Sequence, residues 1–282
     1  MNLKYKFEKC FYISYYAFKQ SSTYWMNNFL SMLSSIIFIA IVYYIWTAVY
    51  SSTNNFNFIA LNKTITYVCV ITIINQIISR NTEMEIGAKV INGNISIDLI
   101  RPINFFGYLF FNRVGVVFFN FVFSIIPLIF TAKVIFKIDI VKDISTLVIT
   151  ITSVLLSFIL VYMFEFLVGL VSFWTTQVFG VSLLKSSLIN LLAGLTVPLT
   201  FYPESIQKIL INLPFQAMYN IPASIYSGLT YRVNIIQHFL IVLGINSVVK
   251  YLLEQIIWIF IFSLITFLCW RIVSKKIVVQ GG

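Results

Sequence analysis

From Lys19 to Lys63 the chain carries no charged residue at all. A helix of about 20 apolar residues crosses the roughly 30 Å hydrocarbon layer of a membrane, so a run of that length leaves few other folds. Comparable runs recur to the end of the sequence. Of the 282 residues, 60% are hydrophobic and only 10% charged, against about 25% charged in soluble domains. No stretch is polar enough to fold alone in water. Residues 1–282 therefore read as one all-α integral membrane domain.

The charges set where the spans fall. Six are expected, at about 28–50, 58–78, 114–132, 144–174, 186–201 and 251–270. Lys63 can snorkel from the second, and Pro127 should kink the third. An even number puts both termini on one side. With the termini in the cytoplasm, twelve Lys and Arg lie inside and seven outside, which favours that orientation. The net charge of +10 would suggest nucleic acid in a soluble protein. Here it belongs to lysines flanking spans, and no nucleic-acid partner is expected.

Residues 1–22 set Phe7, Phe11, Tyr15 and Phe18 at helical spacing among Lys4, Lys6, Lys9 and Lys19. That pattern predicts an amphipathic helix lying in the cytoplasmic interface and not a cleavable signal, since no small-residue cleavage site follows. Cys10, Cys69 and Cys269 have no metal or redox spacing and read as buried structural thiols.

Residues 79–104 form the sizeable polar segment on the cytoplasmic side. Thr82-Glu83-Met84-Glu85 has the capping-box spacing, so a helix should run from Thr82 to about Ile91 and end at the Asn92-Gly93 turn. Lys89 follows Glu85 by four residues, the favourable order for a helical ion pair. The plain reading is a surface helix joining two spans.

Residues 198–250 contrast with the spans around them. Four of the six prolines fall here: Pro198, Pro203 after Phe201-Tyr202, Pro214 within Leu213-Pro214-Phe215, and Pro222, with Gly228 closing the block. Proline breaks helices, and broken backbone at membrane depth survives only where protein or a water-filled cavity covers it. Short re-entrant outer helices between spans five and six are expected, an element suited to a gate. The plain alternative is an extracellular loop shaped by proline. Residues 233–249 could be a short outer helix or a membrane dip.

Three blocks together resemble a known family. Gly93-Asn94-Ile95-Ser96-Ile97-Asp98-Leu99-Ile100-Arg101-Pro102 is similar to the Leu-x-Arg-Pro signature between spans two and three of bacterial ATP-binding-cassette permeases of the type-two exporter class. The Phe-Tyr-Pro, Leu-Pro-Phe and Pro-x-x-x-Tyr-x-Gly blocks, and the Val279-Gln280-Gly281-Gly282 tail, resemble it too. The chain departs from the pattern over residues 231–250, which run longer than usual. The resemblance implies a permease subunit exporting a hydrophobic or amphipathic compound (drug, antibiotic peptide or lipid) across the bacterial cytoplasmic membrane. It implies a second permease subunit, identical or sister, and a separate nucleotide-binding ATPase that carries ATP-Mg. It also assigns ATPase coupling to Thr82, Glu83, Glu85, Lys89, Asn92, Gly93, Arg101 and Pro102. The outer gate falls to Pro198, Phe201, Tyr202, Pro203, Leu213, Pro214, Phe215, Pro222 and Gly228.

The sequence itself holds no G-x-x-x-x-G-K-[ST] phosphate loop, so ATP would bind another chain and no cofactor is expected in this one. Its one histidine, His238, has no neighbouring acid for a triad and excludes His-rich metal sites. An enzyme is not expected. An ion-coupled secondary transporter would use charged groups within spans, and Glu165 and Glu254 are the candidates. Glu254 has Lys250 four residues before it, the spacing of a helical pair; Glu165 has no partner near in sequence and would face a polar cavity or a partner subunit. A membrane toxin-immunity protein would need no coupling helix. An ATPase gene beside this one would favour the cassette reading.

Overall fold

A computed structural model of the chain describes residues 3–52, 58–78, 81–101, 103–136, 143–175, 177–229 and 249–275, all helix and turn with no strand among them. The helices are α1 (Leu3–Thr23), α2 (Trp25–Ser51), α3 (Phe58–Ile78), α4 (Thr82–Ile91), α5 (Ile95–Ile100), α6 (Phe105–Asn120) and α7 (Ile126–Phe136). There follow α8 (Ile144–Leu170), α9 (Val178–Leu192), α10 (Glu204–Leu210), α11 (Pro214–Met218), α12 (Asn220–Ser227) and α13 (Val249–Ser274). Residues 230–248, with His238, and the Val-Gln-Gly-Gly tail lie outside the described residues.

Five helical stretches are long and apolar enough to cross a membrane: α2, α3, α6 with α7, α8 and α13. Their outer faces expose large apolar side chains, such as Ile37, Ile41 and Ile45 on α2 or Phe260, Leu264 and Phe267 on α13. In water such a surface would be a liability; in lipid it is the solvated face. α6 starts nine residues before the expected 114, which carries Arg113 into the helix. Pro127 does not kink the span alone. The helix widens into a π turn over Phe121–Ile125 just before it, because the proline ring crowds the carbonyl four residues back. Asp143 caps α8, accepting from the amides of Ser145 and Thr146. Hydrogen bonds from the side chains of Ser145 and Thr146 hold its carboxyl below the usual range.

The expected fifth span is the main correction. It begins at Val178, not 186, and α9 ends at Leu192 after 15 residues, about 22 Å and too short to cross. The chain turns at Gly194 (φ 76), where the Tyr67 hydroxyl, midway along α3, lies 3.2 Å from the Gly194 carbonyl and 2.8 Å from Asn220 Oδ1. α10 exposes Glu204, Ile206, Lys208 and Ile209 and turns Gln207 and Leu210 inward. α11 and α12 are no exposed loop: Ala217, Met218, Tyr219, Ile221 and Ala223 are buried in the core beside α3 and α8.

α1 packs on α6 through small residues. Gly115 allows this contact, since a Cβ there would lie 2.0 Å from the Ser14 carbonyl oxygen, and Ser14 Oγ donates to the Phe111 carbonyl at 2.7 Å. Between membrane helices no hydrophobic force favours association over lipid, so close backbone approach must supply it. The aromatic stripe splits: Phe7, Phe11 and Tyr15 are exposed, while Phe18 packs on Phe118 and Phe119. Of the three thiols, all free, Cys69 is buried and Cys10 and Cys269 are half-buried.

Candidate functional site

α4 begins where Asn81 adopts a left-handed backbone (φ 56, ψ 47), a conformation asparagine tolerates. The expected capping box does not form. Thr82 Oγ1 accepts from Arg113 Nη1 at 3.0 Å, and the Thr82 amide donates to Glu165 Oε2 at 3.1 Å. The helix is thus capped from α8, by a carboxylate placed at the positive end of its dipole.

That carboxylate belongs to a buried network of four charges. Arg113 Nη1 lies 2.6 Å from Glu165 Oε2. Lys185 Nζ lies 2.7 Å from Glu83 Oε1 and 3.5 Å from Glu165 Oε1, and donates to Asn81 Oδ1 at 3.3 Å. Ser182 Oγ donates to Glu83 Oε1 at 2.5 Å, and Arg113 Nη2 donates to the Ile78 carbonyl, an unpaired group at the end of α3. All four charged side chains are at most 3% exposed. Two cations balance two carboxylates, the condition for tolerating such burial. Glu83 Oε2 and Arg113 Nε have no hydrogen-bond partner among the described residues. The network joins α3, α4, α6, α8 and α9.

Steric fit reinforces it. A Cβ on Gly169 of α8 would meet Ile86 Cδ1 at 2.5 Å, and one on Gly87 of α4 would meet Val178 Cγ2 of α9 at the same distance. α4 cannot move independently of these helices without breaking ion pairs and opening close contacts.

A second ionic chain holds the α4–α5 hairpin. The expected Glu85–Lys89 pair is present at 3.4 Å. Lys89 also reaches Asp98 at 2.6 Å, and Arg101 Nε reaches Asp98 at 3.2 Å. Arg101 and Lys89 lie over the Tyr108 ring, 4.3 and 4.7 Å from its centroid. Asn92 and Gly93 form the exposed turn, and Pro102 lies outside the described residues. So Thr82 and Glu83 face inward, whereas Asn92 and Gly93 face out. Around the turn Ile91, Ile97 and Ile100 are exposed, the last at 84%.

At the opposite end, polar side chains from the spans and from α10 satisfy the broken backbone. Gln255 Nε2 donates to the Ala217 carbonyl at 2.9 Å, Gln207 to Leu199 at 3.2 Å, and Ser157 Oγ to Ala217 at 3.3 Å. Pro198 precedes a short 3-10 turn (Leu199–Phe201), and Phe201 packs on Trp46 with centroids 4.4 Å apart. Tyr202 Oη donates to the Leu191 carbonyl at 3.2 Å. Pro203 precedes α10; Leu213 precedes α11, and Pro214 opens it. Phe215 meets Phe164 edge-on at 5.5 Å. Pro222 does not separate helices: it sits in the first turn of α12, where its missing N–H costs nothing. Gly228 closes α12 in the left-handed conformation (φ 63). Glu254 accepts from Gln216 Nε2 at 2.5 Å instead of forming the expected pair with Lys250, whose Nζ lies over the Tyr251 ring.

Sequence reasoning missed Asn81, Asp98, Arg113, Ser182 and Lys185. Span starts at 114 and 186 leave Arg113 and Lys185 just outside the expected helices; the available signal is that each sits within an apolar run compatible with a helix, as Glu165 does. No group of three or more His, Cys, Asp and Glu among the described residues could hold a metal ion.

No curated protein and no solved structure matched the chain. The model of the ABC-2 family transporter protein matches residues 29–281, which takes in all but the first residues of α2 and then every helix to α13, with the four-charge network and the short helices α10–α12. A match of that extent, on an all-helical chain with multiple apolar spans, shows that the protein belongs to the ABC-2 transporter family, as a multi-pass membrane protein.

Proposed function

We propose that this chain is the permease subunit of an exporter driven by a separate nucleotide-binding ATPase, with α4 as the coupling helix. The observation that carries the reading is the two-sidedness of the α4–α5 hairpin. Its inner face is bonded through Glu83, Thr82 and Asn81 to helices that line the membrane domain. Its outer tip exposes Ile91, Ile97 and Ile100, a clustered apolar surface that suits a protein partner. A rigid element bonded to several spans transmits a push as a rigid-body motion.

The cargo is a hydrophobic or amphipathic compound carried outward across the cytoplasmic membrane. A groove of about 580 Å³ between α3, α7 and α8, lined almost wholly by apolar side chains, suits such a cargo. A second permease subunit, identical or sister, completes the conduit. Both intramembrane carboxylates already have partners, Arg113 and Lys185 for Glu165 and Gln216 for Glu254, which disfavours an ion-coupled reading.

The test is to replace Ile91 and Ile100 together by aspartate in the assembled transporter. The variant should insert and melt normally but retain at least about tenfold less ATPase on co-purification, since buried apolar contacts are worth about 1.5–3 kcal/mol each. Undiminished co-purification with unchanged transport would assign coupling to another surface.

A further inference from the structure

We propose that the cleft between α1 and α6 binds the headgroup of an anionic phospholipid. The cleft has a volume of about 440 Å³, within the range of small-molecule sites. Lys9 and Gln20 come from α1, Asn112 and Tyr108 from α6, and Arg101 from the end of α5. No carboxylate lines it among the described residues. The carboxylate beside Arg101 is Asp98, which is buried and held by Lys89 and Arg101.

Arg101 is set in place before any ligand arrives, its Nε paired with Asp98 and its plane resting on Tyr108. A fixed guanidinium suits a phosphate, which it can bind through two parallel hydrogen bonds. Lys9 adds a point charge from the facing helix, the two amides can reach ester or glycerol oxygens, and Ile13 supplies an apolar wall.

Depth selects a lipid over a soluble anion. Tyr108 and Asn112 lie in the first two turns of α6, at the start of a 30-residue apolar helical stretch from Phe105 that is about 45 Å long and so outreaches the roughly 30 Å hydrocarbon layer. The cleft is therefore at headgroup level, where tyrosine concentrates. Phe7, Phe11 and Tyr15 on the exposed side of α1 would sit in the adjoining acyl boundary. A lipid can place its phosphate on Lys9 and Arg101 while its chains run along that aromatic face. The site requires neither the ATPase nor a given orientation, so it stands or falls separately from the coupling role of α4.

The experiment is native mass spectrometry of the full chain in neutral detergent, titrated with phosphatidylglycerol and phosphatidylcholine. Wild type should bind one phosphatidylglycerol at least about tenfold more tightly than phosphatidylcholine, as hydrogen bonds to charged groups allow. Lys9→Gln with Arg101→Gln should remove that preference. Lys19→Gln with Lys208→Gln, equal in net charge but outside the cleft, should keep it. Because Arg101→Gln also breaks the Asp98 pair, Lys9→Gln alone should weaken binding in the same direction with an unchanged melting temperature. Equal losses in both double variants, no preference in wild type, or full binding by Lys9→Gln would each overturn the site. Displacement by millimolar inorganic phosphate would assign the cleft to soluble anions and overturn the lipid assignment.

Discussion

Glu165 shows what a single residue can carry in this molecule. It caps α4, pairs with Arg113 and lies within ion-pair distance of Lys185. Removing one member of a buried pair leaves the other charge stranded, at a cost of about 3–5 kcal/mol. Glu165→Ala should therefore lower the thermal midpoint of the purified chain sharply. Replacing the pair together, Arg113→Met with Glu165→Leu, should recover part of the loss, because no charge is then left unpaired. A double variant no more stable than the single would mean that the pair is not what holds α4. None of this partnership was legible in the sequence. Arg113 and Glu165 are 52 residues apart, and Lys185 and Glu165 are 20 apart, whereas spacing arguments reach only to neighbouring turns. Of the two pairs that spacing could reach, Glu85 with Lys89 is present, whereas Glu254 bonds Gln216 instead of Lys250.

Among elements, long apolar runs were readable and irregular ones were not. The spans at 58–78 and 144–174 coincide with α3 and with α8 plus its 3-10 turn, because a long apolar run with a single charge, Lys63 or Glu165, bounded by polar residues leaves little choice of register. α9 was misplaced by eight residues at its start because Lys185 looks like a loop cation until its two carboxylates are seen. The capping box failed for a related reason: Glu165 from another helix outcompetes Glu85 for the end of α4. The small-residue face of α1 was hidden by the aromatic stripe opposite. Gly115→Val should push α1 away from α6, since the new side chain would overlap the Ser14 carbonyl. The expected readout is faster maleimide labelling of Cys10 as the sole cysteine; an unchanged rate would mean that α1 is held elsewhere. The prolines announced broken helices correctly, yet not which proline breaks what. Pro214 opens α11, where its ring pre-sets the backbone and its loss costs about 0.4–1 kcal/mol. If α11 gates the outer end, Pro214→Ala should change basal ATP turnover of the assembled transporter while its melting temperature barely moves. A melting change with unaltered turnover per folded molecule would reduce α10–α12 to a structural plug.

At the scale of the whole molecule, the helix directions fix which parts share an end. Trp270, near the end of α13, stacks on Phe105 with centroids 5.6 Å apart, and α1 packs along α6. Both therefore lie at the end that carries α4. Lys9, Lys19, Lys89, Arg101, Arg271 and Lys275 cluster there, while Lys63, Lys133, Lys208 and Lys250 mark the other. Among the described residues the excess of cations at the α4 end matches the positive-inside tendency, and the proposed coupling role requires the α4 end to face the cytoplasm, where ATP is available. With the native cysteines replaced, Asn94→Cys should react with an impermeant maleimide only after the membrane is opened, and Lys208→Cys in intact cells. Both positions are exposed, so silence at either would report sidedness and not burial. The reversed pattern would put α4 outside, out of reach of any ATP-hydrolysing partner, and the coupling role would fall with it.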